Sequence, residues 1–519
     1  MRRQNLALVM REVAARGPLS RADVAAGTGL TRAAVSSLVE ELRGSGLLTE
    51  LGPAPSGRVG RPGTALMVGD RGPAGLGLEV GVDHVGACVV DLRGAVRAWA
   101  HLDVANRGRP AAQTLADLAR VAECAVREAA DHDLYPVGAV LSVPGLVGAI
   151  AGSVEHAPNL GWRAQPVAVL LPGWLRTLPL TIENEANLGA LAELWHGDDP
   201  TGDTAGKATE GGSENATDRA AKHAATRTND NAPAPTSNNA AGHVSENETG
   251  HASNNATDRS GDSATGHASN NATDRSGDSA TGHASNNATD RAGNNEPGHA
   301  TKHAAARTSD NATDDPIRPR PGAPTDFIYV SVQAGIGAAL VADGRLFRGA
   351  RGFAGELGHV PVHPDGPACP CGARGCLEQY AGEAAILAAA GAGAGSVGGD
   401  PTEALARRAA SGEVPVLAAL DRAGAALGTA LAGAVNLIDP AAIVLGGAAT
   451  ELAAWLLPPM RRELNSRVTV RPWSPEALTA SRLGRRGPLL GAATSTVRRI
   501  IEDPAGAAPA VPLVVPPGG

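Results

Sequence analysis

The chain is 519 residues long, enough for two or three domains, with a formal net charge of −8 and only 2% aromatic residues, so any core must be built mainly from Ala, Val and Leu. That charge argues against nucleic acid covering the whole surface, and no run of eighteen apolar residues suggests a membrane span. The first stretch carries Arg11 and Glu12 where a signal peptide needs apolar residues, and the clustered thiols fit a reducing, cytoplasmic setting.

The charge is uneven. Residues 1–62 hold nine arginines, no lysine and five acids, a local excess of +4. A helix is predicted over 5–16, with Leu6, Val9, Met10 and Val13 on one face, and Gly17-Pro18 stops it. Ser20 and Asp23 spell a capping box for a short second helix ending at Gly27 or Gly29. Thr31 caps a third helix whose buried stripe is Val35, Leu38, Val39 and Leu42. Two helices joined by a Gly-containing turn form a helix-turn-helix, whose second helix enters the major groove by its N-terminal part. The outward candidates are Thr31, Arg32, Ala33, Ser36 and Ser37, suited to phosphates or base edges. Strands at 47–51 and 64–68 flank a tip, GRVGRP, that places Arg58 and Arg61 within reach of phosphates or a minor groove. Residues 1–70 are therefore read as a winged helix-turn-helix DNA-binding domain, against the plainer alternative of a three-helix packing module.

Strand-like runs follow at 75–82, 85–92 and 96–104, then a helix at 111–131 and a buried strand at 137–143, the pattern of an α/β lobe over 75–182. The stretch Ile182 to Asn187, IENEAN, opens a helix through Trp195, with Asn184 suited to cap it. From about 197 to 325 large apolar residues nearly vanish. The unit GHASNNATDRSGDSAT begins at Gly250, recurs at Gly266 and starts again at Gly282. A repeat without apolar residues cannot bury a core, so 197–325 is predicted to be a disordered low-complexity insertion. Beyond it, strands are expected at Phe327–Val332 and Ile336–Ala342, and helices at 378–390, 401–410 and 414–438. A strand at 443–445 runs into Gly446-Gly447, a last strand is expected at 468–470, and a closing helix at 489–501. The Pro/Ala-rich tail, 503–519, is expected to be disordered.

The segment from Gly355 to Glu378 reads GELGHVPVHPDGPACPCGARGCLE. His359, Cys369, Cys371 and Cys376 supply four ligands of the kind that close a tetrahedral zinc site, with no position left for water. The site is therefore read as structural Zn2+. A disulfide is the weaker reading because CxC is a cramped spacing, and free or merely buried thiols are the plain alternative.

GELGH followed by CxCGxxGCLE resembles the ROK family of sugar kinases and sugar-responsive repressors. The resemblance covers nearly all residues outside the insertion and tail, including a repressor-like winged head that ROK kinases usually lack. It implies a two-lobed, actin-like and ribonuclease-H-like α/β body. The first lobe would be 75–182, closed by the helix 489–501, and the second 183–196 with 326–488. It implies that His359 binds zinc through one ring nitrogen and faces a sugar with the rest of the ring, and that Glu356 and Glu378 bind sugar hydroxyls. IENEAN resembles the family's NDAN, so Asn184 would hold the sugar, and Glu185, at the base position of the kinases, would also accept a sugar hydrogen bond. APNLGW at 157–162 resembles a loop near the sugar.

Two departures bear on catalysis. Glu79-Val80-Gly81-Val82-Asp83 stands where the kinases have DxGGT, and Gln333-Ala334-Gly335-Ile336-Gly337 where they have GTGxG. Asp83 would repel a phosphate, and Glu185 is one methylene longer than the aspartate it replaces, so no enzymatic activity is expected. The expected function is a sugar-responsive transcriptional repressor of carbohydrate uptake or catabolism genes. It would work as a homodimer or dimer of dimers on operator half-sites about one helical turn apart, with a sugar or sugar phosphate as effector. The alternatives are an ATP-dependent, glucokinase-like kinase carrying a DNA-binding domain, and a DNA-binding protein whose cleft docks another protein.

Overall fold

The computed structural model describes residues 1–53, 64–148, 152–196, 324–391 and 400–507. Arg58, Arg61 and the predicted insertion, apart from Pro324 and Thr325, lie outside the described residues.

The N-terminal part comprises α1 (Arg2–Arg16), a two-residue β1 (Leu19–Ser20), α2 (Arg21–Thr28) and α3 (Arg32–Gly44). The hairpin strands β2 (Leu48–Pro53) and β3 (Thr64–Val68) complete it, in the order β1-β3-β2. The capping box forms in both directions: the Asp23 amide donates to Ser20 Oγ and the Ser20 amide to the Asp23 carboxylate. Thr31 Oγ1 accepts from the Ala34 amide at 3.2 Å. Both caps occupy donors that a helix start would otherwise leave unpaired.

Next come β4 (Gly72–Val80), β5 (His84–Val90), β6 (Val96–Asp103), α4 (Ala111–Ala130) and β7 (Leu134–Val143). A small sheet of β8 (Leu146–Val147), β9 (Val154–Ala157) and β10 (Trp162–Gln165) follows, then α5 (Val167–Leu170), β11 (Leu180–Asn184) and α6 (Glu185–His196). The main sheet runs β11-β7-β4-β5-β6, an antiparallel meander from β4 to β6 extended on the other side by two parallel strands.

The remaining elements are β12 (Phe327–Val332), β13 (Ile336–Ala342), β14 (Arg345–Phe347), α7 (Glu378–Ala381), α8 (Glu383–Ala389), α9 (Pro401–Ala410) and α10 (Val414–Ile438). They end with β15 (Ala442–Gly447), α11 (Ala453–Arg467), β16 (Leu478–Ala480) and α12 (Gly487–Glu502). Their sheet runs β14-β13-β12-β15-β16, again a meander extended by two parallel strands. The two sheets thus repeat one connectivity. Parallel neighbours need a crossover, usually helical; α4 supplies it between β6 and β7, and α10 lies on the path from β14 to β15.

Helices α6 and α12 cross each other, α6 packing on β12 and β13 and α12 on β4, β5 and β7. They approach so closely that a Cβ on Gly491 would lie 2.0 Å from the Leu188 carbonyl oxygen, so only glycine fits. The far half of α12 also meets the N-terminal helices: Val497, Ile500 and Ile501 share one buried cluster with Leu6, Val9, Met10 and Leu42.

Several sequence expectations are corrected. The helix expected over 378–390 is two, α7 and α8, parted by extended backbone at Gly382. Residues 468–470 are not a strand. Thr469 is held instead by its amide donating to Asn436 Oδ1 at 2.9 Å, and the fifth strand of the second sheet is β16. Helix α11 was not foreseen because Pro458 and Pro459 lie inside it. Prolines ordinarily interrupt a helix, but here the Pro459 ring packs over Gly424 of α10. The predicted disordered tail begins too early, since Asp503 receives Arg3 and Ala507 is buried. Helix α10 is long and apolar enough to cross a membrane by length and composition, yet Leu420, Leu427, Leu431 and Val435 are buried within the fold.

Candidate functional site

His359, Cys369, Cys371 and Cys376 converge, their ligand atoms all within 4.8 Å of one another. Cys371 Sγ lies 3.7 Å from Cys376 Sγ, and Cys369 Sγ lies 3.9 Å from His359 Nδ1. A tetrahedral ion with bonds of about 2.3 Å separates its ligands by about 3.8 Å, so the donors stand at the right spacing. Burial and the neighbouring thiols of Cys371 and Cys369 push the Cys376 thiol up to about 12. Sulfurs this close resist ionising together unless a cation compensates them. The loop is shaped by Gly375, at φ +68°, where a Cβ would lie 1.6 Å from the His363 carbonyl oxygen. Backbone bonds from Cys369 N to Ala373 O and from Leu377 N to Val360 O, 2.8 and 2.9 Å, close it. The residues fit a zinc ion in both donor type and spacing.

The cluster lies beside the predicted sugar residues. His359 turns Nδ1 to the thiols and Nε2 towards Glu356, 3.8 Å from Oε2. Burial raises the Glu356 carboxyl; His359 works against that rise and Glu378 adds to it. Glu378 follows Cys376 by two residues, and its Oε2 accepts from the Ile336 amide at 3.2 Å. A Cβ on Gly335 would lie 2.8 Å from the same oxygen and 2.6 Å from Asn159 Nδ2. Glu356, His359 and Glu378 are therefore brought together, and Asn159 joins them from the loop between β9 and β10. Asn159 lies in APNLGW, the motif through which the sequence could have signalled it.

Asn184 is engaged locally. Its Nδ2 donates to the Gly145 carbonyl at 3.0 Å, and its Oδ1 accepts from the Ala186 amide at 2.8 Å, which caps α6. Glu183 receives the Asn184 amide and Asn187 Nδ2 and pairs with Arg348. Glu185 is buried; burial first and the Glu79 charge second push its carboxyl up to about 7.

The β4–β5 turn holds an ionic run that the sequence did not announce. His84 stands between Asp83, 2.7 Å from Nδ1, and Glu79, 3.6 Å from Nε2. Burial opposes the imidazolium, but the hydrogen bonds and charges of Asp83 and Glu79 outweigh it and raise His84 to about 10. The bond to His84 holds Asp83 down to about 2. A cation is thus supplied by the chain itself beside the position where the sequence departs from DxGGT.

On the N-terminal part, Thr31, Arg32, Ala33, Ser36 and Ser37 are all exposed along the start of α3, while Val35, Leu38 and Val39 of the same helix are buried.

A winged helix-turn-helix joined to a duplicated, ribonuclease-H-like body with a His/Cys3 cluster defines the class of protein. The ROK family model matches residues 75–205 and 322–498, more than half of the chain, and the chain belongs to the ROK family. It is 23% identical over 502 residues to the xylose repressor of Bacillus spizizenii, an alignment covering 97% of each protein. Its fold matches that of a ROK family transcriptional regulator homologous to the E. coli MLC protein, with a TM-score of 0.59 and 18% identity over 98% of this chain and 99% of the other. It also matches a ROK glucokinase from Streptomyces griseus in complex with glucose and AMPPNP, with a TM-score of 0.50 and 20% identity, covering 81% of this chain and 98% of the other.

Proposed function

We propose that this protein is a sugar-responsive, DNA-binding transcriptional repressor. The observation that carries this reading is the shared helix α12, which packs on the body sheet along β4 and closes the core of the helix-turn-helix with Val497, Ile500 and Ile501. A sensor and a DNA reader that share one helix can be coupled through it. A sugar held by Glu356, His359, Glu378 and Asn159, beside a structural zinc, favours one arrangement of the body, and its differential affinity sets the size of the DNA response. Two copies acting together present paired recognition helices to operator half-sites. Asp83 and the loss of glycine and threonine at Gln333-Ala334 oppose phosphate binding, so the protein turns over no ATP.

The test starts by selecting a duplex from a random-sequence library with the purified protein. Fluorescence anisotropy on that duplex then follows a panel of neutral monosaccharides, xylose and glucose included. One sugar is expected to lower DNA affinity by about fivefold or more. A panel without effect, together with sugar-dependent ADP release in a coupled assay, would replace this reading with the kinase alternative.

A further inference from the structure

Arg485 lies in the short segment that leads from β16 into α12. Its guanidinium is gripped by the second half of the body: Nη2 lies 2.7 Å from Asp400, the cap of α9, and Nε lies 3.0 Å from Glu451, just after β15. Its Nη1 faces Asp83 of the β4–β5 turn at 4.0 Å. Asp83 is turned towards it while also holding His84, which Glu79 backs. One cation therefore joins three acids, two from the second sheet's surroundings and one from the first sheet's hairpin. It does so two residues before the helix that the DNA-reading part rests on.

We infer that Arg485 is a positioning residue, a clasp between the two sheet layers that sets how the body's closure is passed to α12 and so to the DNA-binding helices. Any hinging between the layers changes the Asp83–Arg485 separation directly, because Arg485 moves with Asp400 and Glu451 while Asp83 moves with β4 and β5. The remainder of the path is the continuous helix α12. α12 lies along β4 and ends where Asp503 meets Arg3 of α1. The closed arrangement thus needs no bound ligand to bridge the layers at this edge. A charge change at Asp83 shifts the balance of closure without touching the residues that hold sugar or metal.

This inference rests on the proposed sugar response for one readout and is independent of it for another. Asp83→Asn, Arg485→Gln and the double variant form a cycle, and Asp83→Arg turns the attraction into repulsion. The first readout is the ratio of DNA affinities with and without the active sugar, measured on the selected duplex. Each single variant should change that ratio by about two- to fivefold, as expected for a partly exposed pair. The double variant should change it by less than the two combined, and Asp83→Arg by the most. The second readout is small-angle X-ray scattering of the sugar-free protein, in which Asp83→Arg should enlarge the radius of gyration while bound zinc stays at the wild-type level. Strictly additive effects in the cycle, or an Asp83→Arg scattering profile identical to wild type, would overturn the clasp. If the wild type responds to no sugar but Asp83→Arg still expands it, the clasp stands and the sugar-sensing reading falls.

Discussion

Arg3, in the first turn of α1, and Asp503, the residue after α12, bind each other across almost the whole sequence, Arg3 Nε donating to Asp503 Oδ1 at 2.6 Å. The bond holds the Asp503 carboxyl below its usual range. The first and last helices of the described chain are thereby tied where the DNA reader meets the body.

The pair is substantially exposed, so it contributes little to global stability. Asp503→Asn should therefore leave the thermal midpoint nearly unchanged while freeing the N-terminal helix. Amide exchange followed by mass spectrometry should show faster exchange in α1 and unchanged exchange in α4. Equal protection of α1 in both proteins would show that the apolar contacts of Leu6 and Val9 with α12's neighbourhood suffice alone.

The metal cluster predicts one zinc per chain. Cys376→Ser removes a ligand from a closed site, so bound metal should fall well below one equivalent and the thermal midpoint should drop, because binding and local folding are linked. Sugar affinity should fall with it, since His359 would no longer be held between the thiols and Glu356. Atomic absorption on the dialysed protein and calorimetry with the active sugar measure both effects.

Glu378→Gln should weaken sugar binding about tenfold or more, the scale of a lost hydrogen bond to a charged group. The amide still has an oxygen to accept from the Ile336 amide, so the fold and the sugar-free DNA affinity should be retained. Asn159→Ala should weaken binding in the same sense. Isothermal titration with each variant checks both, and an unchanged Glu378→Gln affinity would remove that carboxylate from the site.

On the DNA side, Arg32→Ala should lower affinity. If Arg32 contacts phosphate, the slope of log affinity against log salt should fall by about one. If it contacts a base edge, discrimination at one position should relax instead. Anisotropy titrations at several salt concentrations separate the two outcomes.

Glu185 gives a pH prediction with a definite sign. Its folded-state carboxyl is raised from 4.5 to about 7 by burial and by Glu79. Between those values the native state holds a proton that the unfolded chain has released, so its contribution to stability falls as pH rises from about 4.5 to 7. The loss is roughly 3 kcal/mol at most. Glu185→Gln removes that dependence. Urea midpoints across pH 5 to 8 should decline for the wild type and run flatter for the variant.

Much of the architecture could be read from residues close in sequence. The Ser20–Asp23 box, the Thr31 cap and the apolar stripe of α3 depend on spacings of a few residues, and the His359–Cys376 ligand set falls within eighteen, because turns, caps and loop ligand sets form between near neighbours. What the sequence by itself determined was therefore the helix-turn-helix, the strands β4 to β7, β12, β13 and β15, and the His359–Cys376 donor set. The three-dimensional packing decided the rest. Val468 to Val470 has a strand's composition but Thr469 is held by Asn436, while Leu478 to Ala480 pairs with β15. Asn159 reaches Gly335, Arg485 reaches Asp83, and Glu185 is enclosed near Glu79 only once the two sheets face each other. Burial and charge proximity are properties of distances across the chain, and no local spacing encodes them.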